Sequence, residues 1–306
     1  MKRKRPSGVR PSDSVLEAAE RIFQRQYLIF ASARDDMLAD ADAEALHDMR
    51  VSSSRLRSAL RLFRPFLSDI RRGELNALLS RFRRKLGTAR DWEVWIGFLS
   101  DLSEKKKRSR DPVWMGYVAA QRKQCRRLRT GAMRLLAGDE YEQLKYRIES
   151  FLGKDLARLI GKSPGGYFAC YAAGKVRRGY RRLLKTKLGR KHAGPEEIHE
   201  IRKRIRRLRY WTEFAAPAIG APLPTLAKRL KALTTSLGDA HDMDVYLERI
   251  GAERGGLPVG LAASIERRRS AAVRESWKAW KHLREAGFRK KLLRKLKDSR
   301  HKEGPK

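Results

Sequence analysis

Two cysteines in 306 residues, Cys125 and Cys170, cannot make a disulfide framework. A chain of this size with two thiols reads as a protein of a reducing compartment, with both reduced. Strand signals are nearly absent: alternating Val, Ile, Thr and Tyr runs are few, and no Asn-Gly or Asp-Gly hairpin turn occurs. That argues against a sheet-based fold. No stretch reaches the roughly 18 apolar residues of a membrane span, and the basic start MKRKRPSGVRPSD is followed by no apolar run of the kind a secretory signal needs. The expected location is the cytoplasm.

Acidic residues are also in short supply: 35 Asp+Glu stand against 72 Lys+Arg, a formal net charge of +37. Solubility requires far less, and such an excess repels itself in a compact state. A polyanionic partner explains it most economically. Nucleic acid, inorganic polyphosphate, heparin-like polymers and an anionic membrane surface all fit at this level. The apolar content of 41% nevertheless supports a globular core at this length.

What fills the chain is helical periodicity, as in VLEAAERIFQRQYLIFASARDDML (15–38), HDMRVSSSRLRSALRLFRPFL (47–67) and GELNALLSRFRRKLG (73–87). The fold class is all-α. Breakers divide it at Pro65, Gly73, Gly87, Asp111-Pro112, Gly138, the run GKSPGG (161–166), Gly194-Pro195, Pro217 through Pro224 and Gly255-Gly256. Residues 1–11 and 291–306 read as polar basic tails, leaving 12–290 as the folded part.

That part contains an internal repeat. His47-Asp-Met-Arg50-Val-Ser-Ser-Ser54-Arg55-Leu-Arg57 and His199-Glu-Ile-Arg202-Lys203-Arg-Ile-Arg206-Arg207-Leu-Arg209 share H-x-x-R-x-x-x-x-R-L-R. Leu86-Gly87-Thr-Ala-Arg90-Asp91 follows the first, and Leu237-Gly238-Asp-Ala-His241-Asp242 the second. Upstream, Ala18-Ala-Glu-Arg21-Ile echoes Ala172-Ala-Gly-Lys175-Val. Two related halves are expected, about 12–160 and 167–290, joined at GKSPGG.

At about 100° per residue, Arg50, Ser54, Arg57, Ser58 and Arg61 share a face with His47, beside an apolar stripe of Leu46, Met49, Leu56, Leu60 and Phe63. In the second half, Arg202, Lys203, Arg206, Arg209 and Tyr210 surround His199, beside Ile198, Ile201, Ile205 and Leu208. Arginine suits phosphate, because its planar fork binds oxyanions in a bidentate way and stays charged at any relevant pH. Lys123, Arg126, Arg127, Lys175, Arg178 and Arg182 lie on further basic helices and are candidates to line the same groove. Asp91 and Asp242 precede apolar runs, which predicts helix N-caps; the alternative is that each carboxylate braces a groove arginine, and the two roles are compatible.

Several motifs fail. GKS at 161–163 lacks the glycine a phosphate loop needs at position 156, where Leu156 stands. HEIRK at 199–203 has Lys203 where a zinc-protease helix needs a second histidine. His47, His199, His241, Asp91 and Asp242 could be drawn as a metal site, but a dication among this many arginines is electrostatically poor, so no metal and no cofactor is expected. No nucleophile and base pair stands out. Tyr210 is the lone aromatic candidate for the stacking that a single-strand binder wants.

The paired motifs, H-D-M-R-V-x-x-x-R-L-R with L-G-x-x-R-D and H-E-I-R-K-x-x-R-R-L-R-Y with L-G-D-A-H-D-M-D-V, resemble the two halves of a CHAD domain over roughly residues 12–290. The resemblance implies two four-helix bundles related by pseudo-twofold symmetry, with a basic groove between them that binds inorganic polyphosphate, and in some members association with polyphosphate granules. His47, Arg50, Arg55 and Arg57 match the first motif and His199, Arg202, Arg206, Arg207 and Arg209 the second, and with Arg61 and Lys203 from the same helix faces they are the residues expected to bind polyphosphate. Ser54 departs from the pattern, since a basic residue is usual there. Many relatives carry a triphosphate-tunnel domain, for which this chain has no room, so a non-catalytic binding module is expected. A nucleic-acid-binding protein and a phosphate-transfer enzyme using the histidines are the alternatives; no obligate protein partner is expected.

Overall fold

A computed structural model of the chain describes residues 8–39, 44–105, 111–156, 166–186, 195–253 and 256–300. Within them the protein is all-α, and the nearest approach to a strand is an isolated bridge between Ser14 and Tyr167. The expected joint at 161–166 lies outside the described residues except for Gly166, as do residues 1–7 and 301–306 of the tails.

The chain forms two compact units, one containing Glu20–Lys162 and the other Ser7–Ala19 with Ser163–Lys306. The division falls inside the first helix, not ahead of it. The segment before that helix belongs with the second half, because the Phe168 amide donates to the Asp13 carbonyl at 2.9 Å and Ser14 bridges to Tyr167.

In the first unit the helices are α1 (Val15–Leu38, whose opening residues belong to the other unit), α2 (Ala45–Leu62), α3 (Asp69–Lys105), α4 (Pro112–Ala137) and α5 (Asp139–Ser150). A 3-10 turn at Arg64–Phe66 and a π turn at Phe151–Asp155 complete it. α1 starts with a capping box: the Glu17 amide donates to Ser14 Oγ at 3.2 Å while the Ser14 amide donates to the Glu17 carboxylate at 2.8 Å. α4 starts with Asp111, which accepts from the amides of Val113 and Trp114 at 3.0 and 3.2 Å, followed by Pro112 at the first helical position. Phe23 meets Phe63 and Phe151, and Phe30 meets Phe82 and Tyr141, with ring centroids 5.2–5.9 Å apart.

In the second unit they are α6 (Phe168–Leu184), α7 (Pro195–Ile219), α8 (Leu223–Gly251), α9 (Leu261–Arg284) and α10 (Ala286–Asp298). α7 packs on α6 and α8, and α8 on α9. Leu226, Leu230, Leu233 and Leu237 of α8 are fully buried or nearly so, each stabilising the fold by about 1.5–3 kcal/mol relative to exposure. Between α7 and α8 the chain turns at Gly220, whose φ of 75° is the left-handed geometry that glycine adopts without strain.

Both predicted apolar stripes are buried. Leu46, Met49, Leu56, Leu60 and Phe63 are at most 2% exposed, and Ile198, Ile201, Ile205 and Leu208 at most 3%. Two expectations are corrected. Gly73 and Gly87 do not break a helix: α3 runs unbroken past both, as α8 runs past Gly238. A glycine inside a helix costs roughly 1 kcal/mol, which the burial of Leu79, Phe82, Leu86 and Trp95 on the same helix outweighs. The C-terminal tail drawn from residue 291 is likewise displaced by α10, in which Phe288, Leu292 and Leu296 recur every fourth position and are buried.

Candidate basic binding faces

In the first unit α2 sets its arginines over α3. Arg50 Nη1 donates to Asp91 Oδ1 at 2.8 Å and to the Gly87 carbonyl at 3.3 Å. Arg57 Nε donates to Asn76 Oδ1 at 3.1 Å. Asp91 and Asp242 lie in the interiors of α3 and α8, so neither is an N-cap; for Asp91 the bracing role is the one seen. His47 and Arg61 are exposed, and Arg55 is half-buried. Lost hydration and the nearby Arg90 hold the His47 imidazole below its usual pKa, against Glu44 and Asp48. Arg90 in turn pairs with Glu44 at 3.4 Å and Glu93 at 3.2 Å, and Glu93 reaches Arg129 at 2.8 Å.

The second unit repeats the placement with different partners. A side-chain carbon built on Gly238 would lie 3.6–3.8 Å from the Arg202 guanidinium, as one on Gly87 would lie 3.9 Å from Arg50 Nη2. So in each unit the first arginine of the motif lies against the glycine of the Leu-Gly pair. Here, though, Arg202 Nε is buried and meets no acceptor, and Arg207 Nε is in the same condition. His199 and His241 face each other with ring centroids 5.2 Å apart. Desolvation, Lys203 and Arg202 keep His199 below its usual pKa, and Arg206 adds to them against Glu200. Lys203 pairs with Glu200 at 2.7 Å. Arg209 is committed within its own helix, 3.3 Å from Glu213 and 4.8 Å from the centroid of the Tyr210 ring.

Tyr210 itself is 3% exposed. Its ring is part of the interior and does not offer a stacking surface to a base, which corrects that candidate role. Helical spacing alone puts Tyr210 on the His199 side of α7, and its burial follows from packing at the end of that helix, where Thr212, Phe214 and Ala215 are buried as well.

On α6, Lys175, Arg178 and Arg182 are spaced to share one face. Burial first, then Arg178 and Arg182, lowers the Lys175 pKa, and its ammonium lies 5.2 Å from the Tyr171 ring. Gly174 has two guanidiniums over it: a side-chain carbon there would lie 3.7 Å from Arg300 Nε and 3.9 Å from Arg178 Nη1. Arg300 was missed in the sequence because it was counted with the tail. Lys123 and Arg126 are exposed on α4 of the first unit.

Like charges crowded in this way favour an occupant that is anionic and long enough to engage several of them. Among the described residues no group of three or more His, Cys, Asp or Glu could hold a metal ion, and no helix is long and apolar enough to cross a membrane.

Residues 21–251 match the family model of the CHAD domain. Among solved structures, the chain is similar to the crystal structure of the CHAD domain from the plant Ricinus communis, at 20% identity and a TM-score of 0.67 over 98% of this chain and 96% of that one. It is also similar to PptA from Streptomyces chartreusis, at 14% identity and a TM-score of 0.57 over 94% of this chain and all of the other. No curated protein matches it.

Proposed function

Since the chain belongs to the CHAD domain family, we propose that it binds inorganic polyphosphate without turning it over. The observation that carries this reading is the placement of Arg50 on Gly87 and of Arg202 on Gly238. Each arginine is laid over a stretch of helix without a side chain, beside a histidine that leads the same helix. In the second unit the guanidinium also keeps a buried Nε without an acceptor. A buried donor left unmade costs about 1–3 kcal/mol, and a phosphate oxygen is the acceptor such a group lacks.

In this reading His47, Arg50, Arg55, Arg57 and Arg61 contact phosphates in the first unit. His199, Arg202, Lys203, Arg206 and Arg207 do so in the second, with Lys175, Arg178 and Arg182 extending that face and Arg209 shaping it through Glu213. Asp91 holds Arg50 in place, and Lys123 and Arg126 add long-range attraction. Polyphosphate carries a charge on every unit, so each bound cation releases counterions and affinity falls steeply with salt. Residence in the cytoplasm at polyphosphate granules is the cellular consequence of such binding.

A competition titration tests it. The protein is bound to labelled long-chain polyphosphate at about 0.15 M salt and challenged with unlabelled polyphosphate, DNA and RNA matched in phosphate. Polyphosphate alone should compete well. Equal competition by nucleic acids would make the charge generic and favour a nucleic-acid-binding protein. Arg50→Glu together with Arg202→Glu should abolish binding with helicity intact.

A further inference from the structure

We infer that His241, paired with His199, is a phosphate-binding residue of the second unit, and that the pair makes polyphosphate binding proton-coupled. This rests on the polyphosphate reading and adds to it a residue and a mode of regulation. The two rings come from different helices, His199 from the first turns of α7 and His241 from the middle of α8, yet their centroids are 5.2 Å apart. Two imidazolium ions at that separation repel, and an anion that accepts from both removes the repulsion. The bound state therefore holds more protons than the free one, and affinity rises as pH falls through the histidine range.

The surroundings favour this. On α7, Arg202, Lys203 and Arg206 discourage protonation of His199 in the free protein and Glu200 favours it; Lys203 partly cancels Glu200 through their 2.7 Å ion pair. On α8, Asp239 and Asp242 flank His241, while Asp244 is turned to Arg269 of α9. On α6, which packs against α7, the charged groups are Lys175, Arg177, Arg178, Arg181 and Arg182, all cationic. The cations dominate, so a polyanion entering this face shifts the histidines toward their charged form.

The first unit supplies an internal contrast. The position matching His241 is Arg90, which is permanently charged and already paired with Glu44 and Glu93. A proton-dependent grip is thus concentrated in the second unit.

The test is binding of long-chain polyphosphate, whose internal phosphates keep their charge across the range, at pH 7.5 and 5.5 and fixed ionic strength. Proton uptake is measured alongside by calorimetry in two buffers of different ionisation enthalpy. Wild-type affinity should rise about tenfold, the linkage of one proton across one pKa unit, with net proton uptake. His241→Gln should take up fewer protons and lose most of the rise. His241→Arg, which places a fixed cation as at Arg90, should bind more tightly than wild type at pH 7.5 and respond less to pH; a gain of this kind cannot come from misfolding. Wild-type proton uptake in His241→Gln would overturn the inference while leaving polyphosphate binding intact. Absence of binding by the wild type at both pH values would overturn the polyphosphate reading itself, and this inference with it.

Discussion

Arg50 reaches from α2 to α3 and donates to Asp91 at 2.8 Å, while its counterpart Arg202 keeps a buried Nε without an acceptor. The same motif position is therefore restrained in one unit and left with a donor to spare in the other. Asp91 is more than half exposed, so the ion pair contributes only about 0–1 kcal/mol to stability. Its larger effect is on the anion, because its carboxylate repels a phosphate that approaches Arg50.

Asp91→Asn should consequently raise polyphosphate affinity several-fold at low salt and lower the unfolding free energy by no more than about 1 kcal/mol. Titration and urea unfolding on one preparation measure both. A fall in affinity would mean that Asp91 acts chiefly by holding the guanidinium in place.

Gly87 and Gly238 test the continuity of α3 and α8. Each sits in a helix interior, and a side-chain carbon at either would make ordinary van der Waals contact with an arginine at 3.6 Å or more. Gly87→Ala and Gly238→Ala should each stabilise by up to about 1 kcal/mol, the helix-propensity difference. Marked destabilisation in thermal melts would instead indicate a turn at the glycine.

The turn was the natural reading of Leu-Gly followed by Asp, because glycine and a capping residue before an apolar run is how many helices end and restart. What overrides it is tertiary: the helix on either side is locked by Leu79, Phe82, Leu86 and Trp95, and none of that packing is visible in a six-residue window. The fold class and the two apolar stripes were legible because they depend on periodicity alone. The pairing of His199 with His241 was not, since residues 42 positions apart meet only through the packing of α7 on α8. Arg300 was hidden for the same reason, its neighbour Gly174 lying on a helix more than a hundred residues earlier.

The free protein should lose stability as pH falls from 7.5 to 5.5. Folding lowers the pKa of both His47 and His199, so in this window the unfolded chain binds more protons, and stability rises with pH. The raised Asp239 pKa acts in the opposite sense, nearer the carboxylate range. Urea unfolding at the two pH values checks the sign, and His47→Gln with His199→Gln should flatten the difference. Saturating polyphosphate should also reduce it, because a ligand that binds the folded state with proton uptake adds more stability at pH 5.5 than at pH 7.5.

The packing of α10 can be tested by truncating its buried side chains. Leu292 and Leu296 are fully buried, Arg229 lies 4.0 Å from the centroid of the Phe288 ring, and the same arginine pairs with Glu285 at 2.8 Å just before the helix. A basic tail would tolerate truncation of either leucine. A packed helix would not: Leu292→Ala or Leu296→Ala should cost about 2–5 kcal/mol, whereas the exposed Lys291→Ala should change little. Because Arg300 follows α10 and lies over Gly174 beside Arg178, loosening the helix should also withdraw a cation from the α6 face. The leucine variants should then bind polyphosphate with a shallower dependence on salt than wild type, measured under conditions where they remain folded. An unchanged slope would place Arg300 outside the binding face.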